Sequence, residues 1–409
     1  MSLLNGDIYS VTVRASNIAG KGPWSAPIQV TPGVPGRPTN VTVVRGDVSD
    51  LVGWTAPAAN GSAVTKYTAT SSPGSFTCTV GGQSYPLCWV TGLTNGTPYT
   101  FTVTATNVNG TGAPSAPSGS VTPAPVQTIP VAGTPFDAYS DGTHVWVTES
   151  GTAATGYGIV TELNASDGSV VRTISGLGGE PGPISSDGTH VWVGNSDNMV
   201  TELNASDGSV VWTVSAGTYV QGVSSDGTHI WVTNLVTQTV TELNASDGSL
   251  VQTIGGFESP RSIVSDGTYV WVTEIGKVTQ LNASDGSVVR SIYVGFIPYA
   301  ISADGTHVWV LNNQGKAHNT VTELNASDGS LVQTIPLARY PHAICSDGTH
   351  VWVVDGLDGG AITELNASDG SLVQNIATGQ GLGAGTISSD GAHVWVTNSQ
   401  SNSIIDFAA

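Results

Sequence analysis

The sequence predicts an all-β protein in which a small sandwich is followed by a seven-bladed β-propeller. The composition is typical of short strands joined by tight turns, with 52 glycines and 21 prolines among 409 residues. A seven-residue signature that contains Trp occurs seven times, and a second signature occurs six times without change. The repeats have a period near 40 residues and contain four strand-like segments each, which indicates propeller blades.

The charge and hydropathy patterns exclude several functional classes. Lysine and arginine together number 11 against 30 aspartates and glutamates, a formal net charge of -19. Nucleic-acid affinity rests on Lys and Arg that neutralise phosphates, so we expect no nucleic-acid partner. The chain contains no run of about 20 apolar residues, and we therefore predict no membrane span. Its length suits two to four domains.

Residues 1–32 repeat the end of the module that follows them. The stretch Asn5–Asn17 matches Asn95–Asn107, and the match runs on to Val30–Pro32 and Val121–Pro123. The first copy lacks everything that precedes this stretch in the second copy. We therefore expect residues 1–32 to be the last two strands of a module in a fragment of a longer protein. On this view the absence of a signal peptide is uninformative.

Residues 33–123 are predicted to form one small sandwich. Short alternating stretches, separated by Asn-Gly and Gly-Gly turns, amount to seven strands in about 90 residues. With Trp54 in the second strand, Leu93 followed by Tyr99, and the turn Asn107–Gly112, the module resembles a fibronectin type III domain of the bacterial kind. The resemblance implies a spacer without catalytic residues. It also implies that Tyr99 is a corner tyrosine whose hydroxyl bonds to the backbone.

The three cysteines divide into a pair and a single residue. Cys78 and Cys88 lie on two nearby strand segments of the sandwich, and a hairpin would place them opposite one another. Secreted proteins use cysteine in pairs, so we expect a disulfide, which would stabilise by about 3 kcal/mol on the chain-entropy account. Two free thiols are the alternative. Cys345 lies in an apolar run, which indicates a buried structural thiol.

Residues 124–409 contain the repeats. The first signature, Asp-Gly-[Thr/Ala]-[His/Tyr]-[Val/Ile]-Trp-Val, begins at Asp141, Asp187, Asp226, Asp266, Asp304, Asp347 and Asp390. The second signature, Leu-Asn-Ala-Ser-Asp-Gly-Ser, begins at Leu163, Leu203, Leu243, Leu281, Leu324 and Leu365. In each blade we place strand one before the first signature, strand two within it, strand three before the second signature and strand four after it. Both signatures contain Asp-Gly, which accepts the positive φ of a hairpin turn.

The seventh blade has no fourth strand after its third, Ser403–Phe407. The segment Val126–Pro130 has the same sequence as Val332–Pro336, a fourth strand, but it precedes the first complete set of strands. We therefore expect Val126–Pro130 to pair beside the third strand of the last blade. This pairing would close the ring and remove an open sheet edge.

The repeats resemble two groups of propellers. The stretches Trp231–Asn234 and Trp395–Asn398, with Pro341–Ile344 before one Asp-Gly, are similar to the YVTN-type propellers of bacterial and archaeal surface proteins. The stretches Trp146–Glu149 and Trp271–Glu274 are similar to streptogramin lyases. The resemblance implies the fold but not an activity, because propellers host many functions.

Several repeated residue types favour structural roles. Six signatures carry His and one carries Tyr at one equivalent position, namely His144, His190, His229, Tyr269, His307, His350 and His393. Symmetry separates these side chains, so we predict packing between blades rather than a shared metal ion, and the same for the tryptophans. The six Asn-Ala-Ser triplets match the glycosylation pattern, but they are more simply turn residues. The turns lack the string of carboxylates that a calcium loop needs.

Variation between repeats is confined to one face. The turns between strands one and two, and between strands three and four, hardly change and share a face. The connections between strands two and three, and between blades, differ in every repeat and share the opposite face. Examples are Ser150–Gly158, Leu235–Gln238, Asn313–Asn319 and Gly356–Gly360. We predict that this variable face meets a partner, with neutral drift of the loops as the alternative.

Two rings of equivalent positions are predicted to frame the mouth of a central channel on the variable face. The first ring, at the end of strand two, is Glu149, Asn195, Asn234, Glu274, Asn312, Asp355 and Asn398. The second ring, at the entry to strand one, is Phe136, Gly182, Gln221, Arg261, Tyr299, His342 and Gly385. The ligand-binding candidates taken from both rings are Phe136, Glu149, Arg261, Glu274, Tyr299, His342 and Asp355.

The functional prediction is a secreted or surface-anchored, monomeric binding protein. Its variable face would contact a polysaccharide, a protein or a matrix ligand, with the sandwich as a spacer. The lyase resemblance implies an alternative, a magnesium-assisted lyase or lactonase that uses His342, Glu274 and Asp355. Most of the first ring is Asn, which departs from the lyases and favours binding. Calcium is the other metal considered, no further cofactor is predicted, and a purely structural surface repeat protein is the third hypothesis.

Overall fold

The computed structural model describes residues 7–30, 32–82, 86–151, 158–313, 319–337, 341–355, 360–378, 381–383 and 385–409. The chain divides into two units, Met1–Pro125 and Val126–Ala409, which are taken separately below. Regular structure in the described residues consists of strands. Within those residues we find no helix of the length and apolarity that crossing a membrane requires.

The first strands of the chain reproduce the hydrogen bonds of the module that follows. β1 (Tyr9–Val11) pairs with β4 (Ile28–Val30), and β2 (Ser16–Asn17) pairs with β3 (Gly20–Lys21). The pair Asn17–Gly20 matches the later pair Asn107–Gly110 in register. Two local backbone bonds also have equivalents: Gly22 N–H donates to Ala15 as Gly112 does to Ala105, and Ser25 donates to Val13 as Ser115 does to Val103.

The sandwich contains two antiparallel sheets. Its strands are β5 (Thr39–Arg45), β6 (Ser49–Thr55), β7 (Lys66–Ser72), β8 (Thr77–Gly81), β9 (Leu87–Thr91), β10 (Thr100–Asn107) and β11 (Gly110–Thr111). One sheet has the order β5-β6-β9 and the other has the order β11-β10-β7-β8. Strand β10 alternates buried and half-buried residues, as expected for a sheet with one face in a core. Trp54 packs on Tyr67 in this core, and the Tyr99 hydroxyl accepts a hydrogen bond from Thr94 N–H.

The disulfide joins the two sheets of the sandwich. Cys78 on β8 and Cys88 on β9 are bonded, with their Cα atoms 6.1 Å apart. The expected hairpin between them is wrong, because β8 pairs with β7 whereas β9 pairs with β6 in the other sheet. The bond therefore links the two layers across the core rather than two neighbours within one layer.

The second unit consists of seven four-stranded antiparallel sheets, the blades. Blades one to three are β13 (Thr134–Ser140), β14 (His144–Ser150), β15 (Ile159–Asn164), β16 (Val170–Ser175); β17 (Pro181–Ser186), β18 (His190–Asn195), β19 (Met199–Asn204), β20 (Val210–Ser215); and β21 (Val220–Ser225), β22 (His229–Asn234), β23 (Thr239–Asn244), β24 (Leu250–Gly255). Blades four to six are β25 (Ile263–Ser265), β26 (Tyr269–Glu274), β27 (Lys277–Asn282), β28 (Val288–Tyr293); β29 (Pro298–Ala303), β30 (His307–Asn312), β31 (Thr320–Asn325), β32 (Leu331–Pro336); and β33 (Pro341–Ser346), β34 (His350–Asp355), β35 (Ala361–Asn366), β36 (Leu372–Ala377). Blade seven is β37 (Ile387–Ser389), β38 (His393–Asn398), β39 (Ser403–Ala408) and β12 (Gln127–Pro130).

The ring closes as the sequence predicts. Strand β12 pairs antiparallel with β39, so that the start of the unit completes its last blade. Thr128 lies opposite Ile405, and Ile129 lies opposite Ile404. The first strands of neighbouring blades contact each other around the ring, and β37 contacts β13 across the closure. Strand one is therefore innermost in every blade.

The core of this unit lies between the blades. The seven signature tryptophans have no exposed surface, and each packs against the next blade, as Trp146 does against Val191 and Val193. Trp395 of blade seven packs against Val145 and Val147 of blade one. The tryptophans thus form the blade-to-blade core that was predicted from their spacing.

The signature histidines pair with carboxylates of their own blades, a polar role that the sequence did not predict, whereas Tyr269 at the equivalent position packs against the core between blades four and five. His144 Nε2 lies 3.4 Å from a carboxylate oxygen of Glu162 on strand three, and the rings of His144 and Trp146 are 6.1 Å apart. Equivalent His–carboxylate pairs occur in blades two, three, five, six and seven, at 2.8–3.6 Å. The histidines therefore pair with buried carboxylates of strand three, which are glutamates except for Asp406 in blade seven.

The constant turns are built by side-chain oxygens. Asp141 accepts hydrogen bonds from the N–H groups of Thr143 and His144, and Gly142 has φ +85°, a conformation that glycine adopts without strain. In the second turn the carboxylate of Asp167 accepts a hydrogen bond from the N–H of Ser169. The hydroxyl of Ser169 and this N–H together hold the pKa of Asp167 below its ordinary value. These bonds account for the repeated Asp, Asn and Ser residues as turn formers.

Candidate functional site

The innermost strands of the seven blades enclose a central channel. The cavity has a volume of about 820 Å³ and is lined by residues of every strand one, from Thr134–Ser140 in blade one to Thr386–Ser389 in blade seven. Serines dominate one part of the wall. There the Ser265 N–H donates to the Ser224 hydroxyl of the preceding blade, and the Ser140 hydroxyl donates to Asp390 across the closure. The wall is therefore tied together between blades by its own hydrogen bonds.

The second predicted ring lines this channel. Six of its positions are cavity residues, namely Phe136, Gln221, Arg261, Tyr299, His342 and Gly385. The phenyl ring of Phe136 is 57% exposed and lies beside Gly182, which has no side chain to cover it. Symmetry among the repeats thus located these positions correctly from the sequence alone.

Three consecutive blades bring an arginine, a tyrosine and a histidine into contact at the channel. The guanidinium carbon of Arg261 lies 5.5 Å from the centre of the Tyr299 ring, within the range of a cation–π contact. The rings of Tyr299 and His342 meet edge to face, 6.0 Å apart at an angle of 89°. Partial burial lowers the pKa of His342, which favours the neutral imidazole at pH 7. We call these three residues the mouth cluster.

The first predicted ring does not line the channel, which corrects the expectation that both rings frame the mouth. Glu149, Glu274 and Asp355 are at most 5% exposed, and none of them is a cavity residue. The asparagines Asn195, Asn234, Asn312 and Asn398 are buried in the same way. Because strand one is innermost, it stands between the channel and the end of strand two.

The carboxylates of the first ring bind groups of their own blades. Glu149 accepts the Gly133 N–H at 2.6 Å, and burial raises its pKa. Glu274 accepts the Glu258 N–H at 2.8 Å and the Thr279 hydroxyl, and it lies 3.4 Å from the ammonium of Lys277. The two carboxylates thus accept hydrogen bonds from backbone N–H groups of the connections that lead into strand one, and they hold these connections in place.

The comparisons with known proteins agree with this architecture. The profile of the family "Fibronectin type III domain" matches residues 36–121, and the profile of "Outer membrane protein assembly factor BamB" matches residues 102–255. The chain is a fibronectin type III module followed by a β-propeller. A curated relative of the chain is fibronectin type-III domain-containing protein 3a of Gallus gallus, 35% identical over 134 residues. That match covers 31% of this chain and 11% of the relative, so the chain spans about a tenth of the relative's length.

Solved propellers share the fold at low sequence identity. Hydrazine synthase of Kuenenia stuttgartiensis is 16% identical with a TM-score of 0.57, over 69% of this chain and 96% of that one. The β-propeller domain of Cps50 (Swd1) of Myceliophteria thermophila is 12% identical with a TM-score of 0.58, over 70% of this chain and 100% of that one. At such identities the likeness concerns the fold alone.

One channel residue of the propeller was missed by the sequence reasoning. Asp137 follows Phe136 on β13, and its carboxylate accepts hydrogen bonds from the N–H groups of Ile184 in blade two and Ala138. The Thr386 hydroxyl of blade seven also bonds to it, and burial raises its pKa to about 6. The other six repeats have uncharged residues at this position, and that contrast was a usable signal.

The propeller holds no evident metal centre in the part of the chain that the structure describes. There, no group of three or more His, Cys, Asp or Glu side chains is arranged to bind an ion. The catalytic candidates are also separated, since His342 lines the channel whereas Glu274 and Asp355 do not. Of the predicted variable loops, Leu235–Gln238 is described, whereas residues 152–157, 314–318 and 356–359 of the other three lie outside the described residues.

Proposed function

We propose that the chain is a secreted or surface-anchored binding protein whose fibronectin module is a spacer and whose propeller binds a ligand at the channel mouth. The ligand classes are a polysaccharide, a surface protein or a matrix component. The contact of Arg261, Tyr299 and His342 over an open cavity of about 820 Å³ carries the proposal. Cavities with a few convergent polar groups are the usual binding sites of proteins.

The mouth cluster combines three complementary chemistries. Arg261 presents a planar fork of donors that matches a carboxylate. Tyr299 offers a stacking face together with a hydroxyl. The neutral imidazole of His342 both donates and accepts one hydrogen bond. A ligand with an acidic group beside an apolar or ring-shaped body would contact all three.

Two features support the extracellular part of the proposal. The bond between Cys78 and Cys88 belongs to an oxidising environment, since cytosolic thiols are kept reduced. Fibronectin type III modules and propellers also commonly mediate interactions between proteins. The alternative of a metal-assisted lyase has less support, because its three candidate residues do not converge on one point of the channel.

The test is a triple substitution at the mouth. Arg261→Ala, Tyr299→Ala and His342→Ala together should weaken binding to the best ligand from a glycan and peptide array by at least about thirtyfold, the loss of a hot spot of about 2 kcal/mol. The fold should persist, as judged by an unchanged melting temperature, because all three side chains are partly exposed.

The matched control is a pair of changes on the constant face. Asp167→Ala and Asp207→Ala each remove the acceptor of a turn, so they should cost some stability and leave binding unchanged. If the triple variant binds normally and the turn variants do not, the working face is the constant one and the proposal is wrong.

A further inference from the structure

The variable rim of the propeller carries a concentration of exposed apolar side chains. They are 45–79% exposed and comprise Tyr219, Val236, Ile275, Tyr293 and Phe296, a set that we call the rim patch. Phe136 of β13, at the channel, is a further large apolar residue that is exposed on this face in the described part of the propeller. Four of them lie in connections, from the one that precedes β21 to the one that precedes β29, and Tyr293 is the last residue of β28.

Backbone hydrogen bonds bring the members of the rim patch together in pairs. The Leu235 N–H donates to the carbonyl of Tyr219, so the loop that carries Val236 runs beside Tyr219. The Val294 N–H donates to the carbonyl of Gly276, which sets Tyr293 beside the turn of Ile275. Phe296 then leads into β29, whose second residue is Tyr299 of the mouth cluster. The patch therefore runs from blade three to the edge of the channel.

Arg261 lies between the two halves of the rim patch, and no carboxylate of the described residues pairs with it. Its carbonyl accepts the Thr233 hydroxyl of blade three at 2.6 Å, and its N–H donates to Thr273 of blade four. Over the described parts of the propeller no ion pair forms at its guanidinium. By contrast, Arg172 pairs with Glu162 at 2.7 Å and Lys277 with Glu274 at 3.4 Å.

An arginine without an ion pair among the described residues is a specific feature in a chain of net charge -19. Acidic side chains are abundant in this protein, and none of those described reaches the Arg261 guanidinium, which is held instead against the Tyr299 ring. A cation kept free of internal partners at the edge of a cavity is available to an external anion. The dispersed negative charge elsewhere disfavours a long polyanion, so a single acidic group is the better match.

We propose that the rim patch and Arg261 together bind a protein partner that presents an acidic side chain beside an apolar surface. The proposal rests on the proposed function, since it places the same channel mouth at one edge of the interface. Tyr and Phe in the patch are residue types enriched in protein interfaces, and Arg is a frequent centre of binding energy. The acidic group enters the mouth and pairs with Arg261 while the apolar surface covers the patch.

The composition of the patch favours a protein over a saccharide. Val236 and Ile275 offer aliphatic contacts without hydrogen-bonding groups, which suit the apolar side chains of a protein and gain little from a hydroxylated sugar. The outer strands also expose aliphatic pairs, for example Val170 with Val171 and Leu250 with Val251. Those pairs recur at equivalent positions in six blades, so they do not distinguish one blade from another as the rim patch does.

The experiment uses a displayed library of random dodecapeptides selected on the full chain. The selected peptides are expected to combine Asp or Glu with neighbouring aromatic or aliphatic residues. Their affinity should fall at least about tenfold with Arg261→Gln, and by a similar factor with Tyr293→Ser plus Phe296→Ser. The affinity should also decrease as salt rises, because an ion pair at a partly exposed site is screened. The matched control is Val171→Ser plus Val211→Ser on the outer strands, which should bind as the unmodified chain does.

Two results would overturn the inference. Either no acidic peptide is selected, or the selected peptides bind the Arg261 and rim variants as tightly as the unmodified chain. A parallel array of oligouronides separates this failure from that of the proposed function. If oligouronides bind, and lose affinity when the mouth cluster is replaced, the channel mouth is the working site but its ligand is an acidic saccharide.

Discussion

Asp137 shows how a single residue departs from a repeated scaffold. Six blades have uncharged residues where blade one has this aspartate, and its carboxylate ties blade one to blades two and seven. Burial raises its pKa from 3.8 to about 6. The raised pKa means that the folded state binds this proton more tightly than the unfolded state does.

The stability of the propeller should therefore depend on pH through Asp137. Its contribution is full below about pH 4 and is lost as the pH rises through about 6. Relative to Asp137→Asn, the unmodified chain should lose at most about 3 kcal/mol of unfolding free energy over this interval, since one pKa unit corresponds to about 1.4 kcal/mol. Urea unfolding at several pH values would measure the difference. Asp197→Asn, at an exposed aspartate, serves as the control. If Asp137→Asn changes the unfolding free energy by the same amount at every pH, the pH dependence does not come from Asp137.

At the scale of elements, strand β12 decides whether the ring is closed. It is short and comes from the opposite end of the propeller sequence, yet it forms the outer edge of blade seven. Ile129 is 6% exposed and packs with Val145, Leu163 and Ile404, residues of blades one and seven. One side chain of this strand thus belongs to the contact between the first and last blades.

Ile129→Ala should lower the unfolding free energy of the propeller by about 2–4 kcal/mol, the usual cost of a cavity in a core. Thr128→Ala on the exposed side of the same strand should change it by no more than about 0.5 kcal/mol. Removal of Val126–Pro130 should have a larger effect than either, because the whole edge of β39 loses its partner. Thermal melts of the three variants provide the comparison, and a shortened chain that melts with the intact one would contradict the closure.

At the scale of the whole molecule, the two units are stabilised by different means. The sandwich has a cross-linked core, whereas the propeller depends on seven interlocked tryptophans and its lone cysteine, Cys345, is buried. Burial raises the pKa of the Cys345 thiol well above its ordinary value, so this group is an unreactive thiol in the folded state.

Reduction should therefore affect one unit only. A reductant should lower the temperature of the calorimetric transition of the sandwich, because its unfolding free energy falls by about 3 kcal/mol when this short loop is opened. The transition temperature of the propeller should stay the same. Cys78→Ser with Cys88→Ser should abolish this response. Mass spectrometry of the unreduced chain should show the peptides of Cys78 and Cys88 linked, and Cys345 should be alkylated only after unfolding. A readily labelled Cys78 would rule out the bond.

The sequence by itself determined the repeated architecture of this protein. A seven-fold signature fixes the number of blades, and equality between Val126–Pro130 and Val332–Pro336 identifies the closing strand. Alignment of the repeats also placed Arg261, Tyr299 and His342 at equivalent entries to strand one. Because neighbouring blades are related by rotation, equivalent positions on them lie side by side, so the proximity of the three residues was predicted, whereas their side-chain contacts are known only from the structure.

Only the tertiary structure decided which faces meet. Glu149 and Pro135 lie opposite one another on neighbouring strands. Glu149 is nevertheless buried and accepts a hydrogen bond from the backbone, whereas Pro135 lines the channel. The disulfide likewise joins two strands that follow one another in the sequence and were expected to form a hairpin, but that belong to different sheets. Alternation along a strand tells which residues share a face, whereas the identity of the neighbour that covers this face depends on contacts between residues distant in the chain.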